Sequence, residues 1–500
     1  MLFNSYVFLL LFLPCTILGF FLIGGRGRKE AAIGWLVCAS LFFYAWWNPA
    51  YLAIIVLSMA FNFGIGGAIR AREGRRRKGL LIVGVSVNLA LLGYYKYAHF
   101  FIQNLNQLVG ADWSVQAILL PLAISFFTFQ QIAYLVDCHR NECGEYSFLH
   151  YSLFVTFFPQ LIAGPIVHHK EMMPQFAGKD VFRVDYEHLS VGFTLFAFGL
   201  FKKVVLADSL AVYANPVFAA AENGVAISAL EAWGGALAYT FQLYFDFSGY
   251  SDMAIGLARL FGIRLPQNFN SPYKARNIIE FWRRWHITLS RFLRDHIYIP
   301  LGGNRRGEPR RYLNMFATML LGGLWHGAGW TFVAWGALHG LYLTINHAWQ
   351  QWRALRPRAR PASTFMRLWT PQVLTFLAVV IAWVLFRAES FSGATVVLSS
   401  MFGANGLHFS EFSANRLAEW DDGFGLMGIA ALIAWFLPNT QQIMRRHRPI
   451  IEEPDPVNEH GLARFLRHSF TYRWCLVTAA TFAYATIRIS RGGEFLYFNF

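Results

Sequence analysis

Apolar runs of about membrane length follow one another along nearly the whole chain, with most of its charged residues between them. Of the 500 residues, 56% are hydrophobic and only 14% are charged, a composition typical of polytopic helical membrane proteins. Because a helix needs about 20 apolar residues to cross a bilayer and several runs are shorter, we expect an all-α polytopic protein with about eleven transmembrane helices plus re-entrant or interfacial helices. The runs are Phe3–Leu22, Ala31–Trp46, Tyr51–Ile69, Gly79–Tyr97, Ala117–Val136, Tyr151–Val167, Leu189–Leu206, Leu230–Phe245, Tyr312–Leu324, Thr331–Ile345, Val373–Phe386, Phe424–Leu437 and Trp474–Ile487.

The chain is strongly basic, with a formal net charge of +15. Its lysines and arginines collect in short loops such as Arg26–Lys29 and Arg70–Lys78, which the positive-inside rule explains better than a nucleic-acid surface does. The first run has its positive flank on its C-terminal side and lacks a basic n-region, so it is predicted to be a retained anchor with the N-terminus outside. Membrane lipids, and no nucleic acid, are the predicted partners of these charges.

Metal-binding and disulfide patterns are missing from the sequence. Of the five cysteines only Cys138 and Cys143 are near each other, and their spacing suits no common zinc motif. No histidine pair has the spacing of a metalloprotease or similar metal site. We therefore expect no disulfide framework, no metal and no bound cofactor.

Two polar stretches divide the chain. Residues 349–371 combine arginines with Pro357 and Pro361 and are predicted to be a basic cytoplasmic linker between a membrane core, residues 1–348, and a C-terminal group of helices, residues 372–500, of the same membrane domain. Residues 445–467 are also predicted to lie outside the bilayer. Within the core, Pro159, Gly164 and Pro165 interrupt one apolar run and Lys202 and Lys203 interrupt another, so backbone or charge at that depth must be shielded by protein.

The segment from Arg264 to Arg311 is too polar to span lipid. Its residues Phe281–Ser290 are predicted to open an amphipathic helix with Trp282, Trp285, Leu289 and Phe292 at helical spacing. One interpretation is an interfacial helix that anchors the protein on anionic lipid. The other is a re-entrant wall whose arginines bind the phosphates of an anionic acyl donor. The candidate binding or supporting residues are Arg283, Arg284, Trp285, Arg294, Asp295 and Asn304.

Two carboxylates, Asp246 and Asp252, lie six residues apart in an apolar and aromatic surrounding. On a continuous helix that spacing does not place them on one face, and the intervening glycine and serines suggest a break in the helix. A paired general acid and base is one interpretation. The favoured one is structural, with either aspartate holding an arginine of the basic segment.

One histidine stands between glycine pairs in the stretch Gly322–Trp330, next to Trp325. A titratable group at membrane depth is costly, so it tends to line a cavity or pathway, and the glycines would let the backbone turn or approach a substrate closely. This residue, His326, is the candidate catalytic residue, and His286 in the basic segment is the second. A histidine within a satisfied helical core is the alternative for His326. His296, His339 and His347 are weaker candidates, and for His339 and His347, on a plain apolar helix, packing or interhelical hydrogen bonding is the alternative. His168 and His169 are predicted to be interfacial.

Four ordered motifs resemble those of the membrane-bound O-acyltransferases, in particular the bacterial branch typified by alginate O-acetyltransferase. They cover Tyr244–Asp252, Glu280–Ser290, Leu293–Asn304 and Leu320–Gly327, and the similarity extends over nearly the whole chain. The resemblance implies a ring of tilted helices around a thin centre with a central tunnel, His326 as the catalytic histidine and His286 as a second site residue. His296 stands where relatives often have tyrosine.

The resemblance also implies an activity. An acetyl group would be taken from acetyl-CoA or another cytoplasmic thioester, and passed across a bacterial inner membrane to an extracytoplasmic polysaccharide with the help of a separate periplasmic acetyltransferase. His326 would act as general base or carry the acetyl group itself. The rival classes are a transporter or channel for a polymer or lipid, and a lipid or protein acyltransferase of the same fold.

Overall fold

A computed structural model describes residues 1–114, 118–144, 147–178, 180–355, 364–407, 417–452, 462–489 and 496. Every regular element in these residues is a helix. The α-helices are α1 Leu13–Gly25, α2 Lys29–Ala45, α3 Tyr51–Arg70, α4 Gly74–Leu92, α5 Ala98–Val109, α6 Ile124–His139, α7 Phe148–Thr156, α8 Phe158–Leu161, α9 His169–Ala177, α10 Tyr186–Phe201, α11 Asp208–Glu222, α12 Ala229–Leu260, α13 Ile278–Arg284, α14 Ile287–Leu293, α15 Glu308–His326, α16 Trp330–Ala354, α17 Thr364–Arg387, α18 Phe391–Met401, α19 Leu417–Phe436, α20 Thr440–Ile443, α21 Leu462–Phe465 and α22 Tyr472–Arg488.

Short π-helical and 3₁₀ pieces interrupt or join these helices. The π-helical pieces are Phe8–Phe12, Gly93–Tyr97, Lys202–Ala207 and Arg294–Tyr298, and the 3₁₀ pieces are Asp180–Phe182, Pro272–Lys274 and Arg445–His447. A π-helical turn adds a residue to the helical repeat and so redirects the side chains around it. In this chain two such turns carry the lysines Lys96 and Lys202–Lys203 that lie inside apolar runs.

Five helices of the described part are long and apolar enough to cross a membrane, as expected for a helical membrane protein. They are Phe8–Gly25, Tyr51–Arg70, Gly74–Val109, Tyr186–Glu222 and Trp369–Arg387. Other apolar runs fall on shorter helices, such as the 16-residue α6, or on more polar ones. Length and composition alone therefore identify fewer spans than the sequence count of eleven.

The central helix is α12, a continuous element of 32 residues. All of them are buried except Leu230, Trp233 and Leu237. The break expected near Gly249 is wrong, because the glycine and serines lie inside the helix and contact neighbouring protein instead of unwinding it. A helix surrounded by protein can also carry the acidic residues that would be too costly in lipid.

Glycines bring α10 and α12 into backbone contact. A Cβ built on Gly199 would lie 2.6 Å from the carbonyl oxygen of Gly249, and one built on Gly192 would lie 2.7 Å from that of Gly256. In each case the reciprocal approach is equally short, 2.7 Å from Gly249 to Gly199 and 2.6 Å from Gly256 to Gly192. Small residues one or two turns apart are the usual means of close helix packing in membranes.

The basic segment is folded differently from the expected single amphipathic helix. Helices α13 and α14 are separated by a sharp turn at His286, whose φ of +42° lies in the left-handed region. Trp285, Leu289 and Phe292 are buried inside the protein. The interpretation as a helix lying on lipid is therefore wrong for this face, and the segment is a wall within the helical body.

The predicted linker at 349–371 is largely helical where it is described. Helix α16 continues to Ala354 and α17 starts at Thr364, while residues 356–363, with the two prolines, lie outside the described residues. Helix α17 packs against α12 and α16. In the second polar stretch, Arg445–His447 form a 3₁₀ turn and α21 begins at Leu462, and residues 453–461 lie outside the described residues.

The contact between Gly199 and Gly249 predicts the effect of adding a methyl group there. Gly199→Ala should lower the thermal unfolding midpoint in detergent, because the new methyl group meets backbone and overpacking costs about 1–3 kcal/mol. Gly67→Ala on α3 is the control, since its Cβ would have no described heavy atom within 4 Å. This control should leave stability unchanged or raise it by about 0.5–1 kcal/mol through helix propensity. Equal midpoints for the two variants would contradict the close contact.

Candidate active site

His326 is the last residue of α15 and is 4% exposed. Its imidazole lies edge to face against Trp335 at 5.2 Å and against Phe386 at 5.1 Å, measured between ring centroids. The ring of the preceding residue, Trp325, also contacts the imidazole, with the two ring centroids 4.8 Å apart. The predicted candidate is therefore enclosed by aromatic rings contributed by α15, α16 and α17.

The glycines around His326 do a different job from the one expected. Gly327 and Gly329 have φ values of −157° and −158°, which are ordinary extended backbone. A Cβ on Gly327 would lie 2.1 Å from the ring of Phe332, and one on Gly323 would lie 2.3 Å from the carbonyl oxygen of that residue. These glycines let α15 and α16 pack closely and thereby hold His326 in place.

The structure brings His286 next to His326. Their ring centroids are 6.4 Å apart, although 40 residues separate them in the chain. His286 Nδ1 is 3.0 Å from Oδ1 of Asn268, which also accepts a hydrogen bond from the Thr288 hydroxyl. Because an amide oxygen only accepts, Nδ1 of His286 carries the proton and Nε2 is the basic nitrogen. The amide of Asn268 donates in turn to Ser251 of α12.

Lys96 was missed as a site residue. Its Nζ donates to the main-chain carbonyl oxygens of Trp325 at 2.6 Å and His326 at 3.2 Å. The hydroxyl of the next residue, Tyr97, donates to the carbonyl of Leu324 at 2.9 Å. An ammonium at the C-terminus of a helix satisfies orphan carbonyls and complements the helix dipole. The sequence feature that could have identified Lys96 is its position as a lone lysine inside the apolar run Gly79–Tyr97.

A cavity of about 210 Å³ reaches His326 and Lys96. It runs along Leu119–Phe126 at the start of α6 and also contacts Trp47 and Trp325. Its volume is enough for a small acyl group and several waters, but below the size that usually holds a whole cofactor. His326 is thus buried from bulk solvent and still accessible through this cavity.

The polar residues predicted from the basic segment do not converge on His326. Two guanidinium nitrogens of Arg284 donate to the same oxygen of Glu280, Oε1, at 3.0 and 2.8 Å. Arg294 pairs with its neighbour Asp295, and that hydrogen bond raises the pKa of the Arg294 guanidinium above its ordinary value. Two further candidates lie elsewhere, because Arg283 is exposed and Asn304 accepts from Tyr298 at 2.5 Å. Of this group only Trp285 is buried near the histidines.

Both aspartates of α12 pair with lysines, so the predicted arginine partner from the basic segment is wrong. Lys203 Nζ lies 2.7 Å from Asp246 and 2.6 Å from Asp208, and the aspartate on α12 is only 1% exposed. Lys202 lies 2.6 Å from Asp252. Asp252 also accepts hydrogen bonds from the side chains of Thr440 and Gln441. Both carboxylates belong to structural ion pairs, because each is bound by a lysine from the π-helical turn after α10.

The remaining histidines are distributed over the molecule. His339 is buried, accepts from Trp282 Nε1 at 3.2 Å and contacts Trp335. His347 is 2.8 Å from an Arg311 guanidinium nitrogen. His296 stacks on Phe292. His168 is half-buried, whereas His169 is 2% exposed and lies 3.3 Å from Asp137.

Cys138 and Cys143 are both free thiols, with their sulfur atoms 2.7 Å apart. No group of three or more histidine, cysteine, aspartate or glutamate side chains in these parts of the chain is arranged to hold a metal ion.

Comparison with known proteins gives a consistent picture. The model of the membrane-bound O-acyltransferase family matches residues 139–390, which include both histidines and both aspartates. The chain is 44% identical over 456 residues to the peptidoglycan O-acetyltransferase of Helicobacter pylori, covering 84% of each protein. It is 44% identical to the probable alginate O-acetylase AlgI of Pseudomonas aeruginosa, over 83% of this chain and 78% of the relative. A teichoic acid D-alanyltransferase of Streptococcus thermophilus is 29% identical over 54% of this chain and 69% of its own length.

The buried ion pairs predict a large effect of one substitution. Lys203→Met should cost about 3–5 kcal/mol, because it leaves a buried aspartate without its partner. The measurement is the thermal unfolding midpoint of the purified protein in detergent. Lys170→Met, which removes an exposed ion pair with Glu142, is the control and should cost at most about 1 kcal/mol. Adding Asp246→Asn to Lys203→Met should recover part of the lost stability, and no recovery would count against the pairing.

Proposed function

The chain belongs to the membrane-bound O-acyltransferase family and is an acyltransferase, and on that premise we propose that it moves an acetyl group from a cytoplasmic thioester to an extracytoplasmic polysaccharide, with His326 as general base. The observation that carries this proposal is the junction of His326, His286 and a cavity inside a protein of apolar helices. Relatives named for acetylation of peptidoglycan and alginate support a glycan as the final acceptor.

In the proposed reaction the imidazole of His326 removes the proton of an acceptor hydroxyl as that oxygen attacks the thioester carbonyl. A carbon–oxygen bond forms, the carbon–sulfur bond breaks, and the proton passes from the imidazolium to the departing thiolate. A neutral imidazole suits both steps, because it accepts and then returns one proton. Attack by the imidazole itself, followed by transfer from acetyl-histidine, uses the same atoms in two steps.

His286 and Lys96 support His326 in different ways. The hydrogen bond with Asn268 fixes the tautomer and ring orientation of His286 beside the catalytic ring. Lys96 is a positioning residue, because it holds the main-chain carbonyls of Trp325 and His326 and so fixes the end of α15. Positioning of this kind can be worth about 100-fold in rate for a displacement of about 1 Å.

The donor enters from the side of the basic segment. A second cavity, of about 690 Å³, lies there between α13, α16 and α17, with Arg276 and Arg353 in its lining. These arginines suit the phosphates of acetyl-CoA or of a carrier protein's phosphopantetheine. Tyr342 in its wall packs on His339, which packs on Trp335. This row of side chains along α16 leads towards His326.

The orientation follows from the loop charges. With the N-terminus outside, the loops at residues 26–28 and 71–73 are cytoplasmic, and the loop after α2 and the segment before α6 lie outside. The cavity at His326 then opens to the outer face, and the arginine-lined cavity opens to the cytoplasm. About eleven crossings around a central tunnel in a bacterial inner membrane complete this arrangement.

A separate periplasmic acetyltransferase completes the transfer to the polysaccharide in this proposal. The transporter alternative lacks support in the comparisons, because the family and its named relatives are acyl or aminoacyl transferases. A lipid or protein acceptor would use the same two histidines, so the acceptor must be measured directly.

Replacement of the base is the first test. His326→Ala should lower turnover of labelled acetyl-CoA by purified protein, supplied with partner and acceptor, by about 10²–10⁴-fold. His99→Ala on exposed α5 is the control and should retain activity. Turnover that persists unchanged in His326→Ala would refute the assignment of the base. Absence of turnover by the unaltered protein with every donor and partner would favour transport.

Replacement of the positioning lysine is the second test. Lys96→Met should lower kcat by about 10–100-fold and leave the KM for the thioester within about twofold, because donor contacts are intact while the imidazole is misplaced. Lys78→Met, at an exposed lysine near the start of α4, serves as the matched control. A rise in donor KM with unchanged kcat would show that Lys96 binds the donor instead of holding α15.

A further inference from the structure

We propose that a third cavity, on the other side of Phe386 from His326, binds a segment of the acceptor glycan; this inference rests on the proposed function. The cavity has a volume of about 1100 Å³, enough for several sugar residues. It lies between α11, the start of α16 and the end of α17. Its polar lining includes Ser209, Asn215, Gln242 and Arg387, and its floor includes Ala328 and Gly329 of the histidine motif.

Gln242 is the most informative side chain of this cavity. It belongs to the buried helix α12 and is 5% exposed. Its Oε1 has no hydrogen-bond partner among the residues that the structure describes. A buried carboxamide without a partner is destabilising unless something else occupies its oxygen. A carboxamide both donates and accepts, which suits the vicinal hydroxyls of a pyranose ring.

Arg387 supplies the second fixed group. Its guanidinium lies 5.4 Å from the ring centre of Phe218 and 6.0 Å from that of Tyr239, and it donates to Asn215 Oδ1 over a long 3.4 Å. Its Nε is buried and has no partner within the described residues. The nearest carboxylate, of Glu389, is 4.0 Å away and 79% exposed. Arg387 therefore retains donors for sugar hydroxyls or for the carboxylate of a uronic acid.

The charges of the lining balance, with two arginines, Arg387 and Arg488, against two carboxylates, Asp208 and Glu389. Asp208 lines it but is already paired with Lys203. Arg488 reaches the lining from α22. A lipid tail would be a poor occupant of a lining that carries these polar groups. An oxygen-rich chain of neutral or negative charge is the better match, in agreement with relatives that are named for glycan substrates.

A single aromatic ring separates this cavity from the imidazole. The ring of Phe386 lines the cavity and lies 5.1 Å from that of His326. Phe332, also in the lining, packs edge to face on Phe386 at 5.1 Å. A glycan held by Gln242 and Arg387 would lie next to the site at His326, where the separate periplasmic acetyltransferase of the proposed function completes the transfer of the acetyl group to it.

The test is equilibrium binding, which needs neither the donor nor a partner protein. Two hexasaccharides without O-acetyl groups, one of uronic acids and one of N-acetylated amino sugars, are titrated into the purified full-length protein by calorimetry. At least one should bind, and Gln242→Leu should weaken that binding at least about tenfold. Gln103→Leu, the same change at an exposed position of α5, should have no effect. Arg387→Gln should also weaken binding, most strongly for the uronic acid chain.

Three outcomes would overturn the inference. They are no binding of either hexasaccharide, unchanged binding by Gln242→Leu, and binding only of a partner protein at this cavity. Thermal unfolding separates a ligand role from a structural one. Gln242→Leu should be as stable as the unaltered protein or more so, because the oxygen that it removes has no partner in the described residues. His326→Ala should still bind glycan. The binding test is therefore independent of whether His326 is the general base.

Discussion

The structure depends on the pairing of charge along one buried helix. Helix α12 carries Asp246 and Asp252 through the centre of an apolar protein, and the lysines of the π-helical turn after α10 neutralise both. Ionised groups in such surroundings are tolerated only when paired and hydrogen-bonded. The glycines of α10 and α12 allow the backbone contact that brings these short-range pairs together. Helix packing and charge pairing therefore require each other.

The geometry of the candidate active site depends on the same helix. Ser251, next to Asp252, accepts the hydrogen bond of Asn268, and Asn268 orients His286. The other histidine of the site, His326, is held by Lys96 and by the close packing of α15 on α16. The two imidazoles are thus held by separate sets of contacts, which bring them together beside one cavity. Rigid support of this kind suits a reaction in which the protein supplies position more than binding energy.

Much of the site could be predicted because its chemistry is concentrated in ordered motifs. His326 and His286 were both identified from sequence, and the structure brings them together. The contacts that hold them were not predictable, because Lys96 is 230 residues from His326 in the chain. Local pattern also misjudged Gly249 as a helix break and did not identify the lysine partners of the two aspartates. Each of these errors concerns a residue whose role depends on the element packed against it.

Composition and periodicity alone determine that this chain is a helical membrane protein, because the length of an apolar run and the charge between runs respond directly to the bilayer. The ordered motifs determine its family. The tertiary structure alone decides which charges pair, which glycines allow close contact, and that Gln242 and Arg387 face a cavity one phenyl ring away from His326. Those properties are distances between atoms far apart in the chain, and local sequence contains no measure of them.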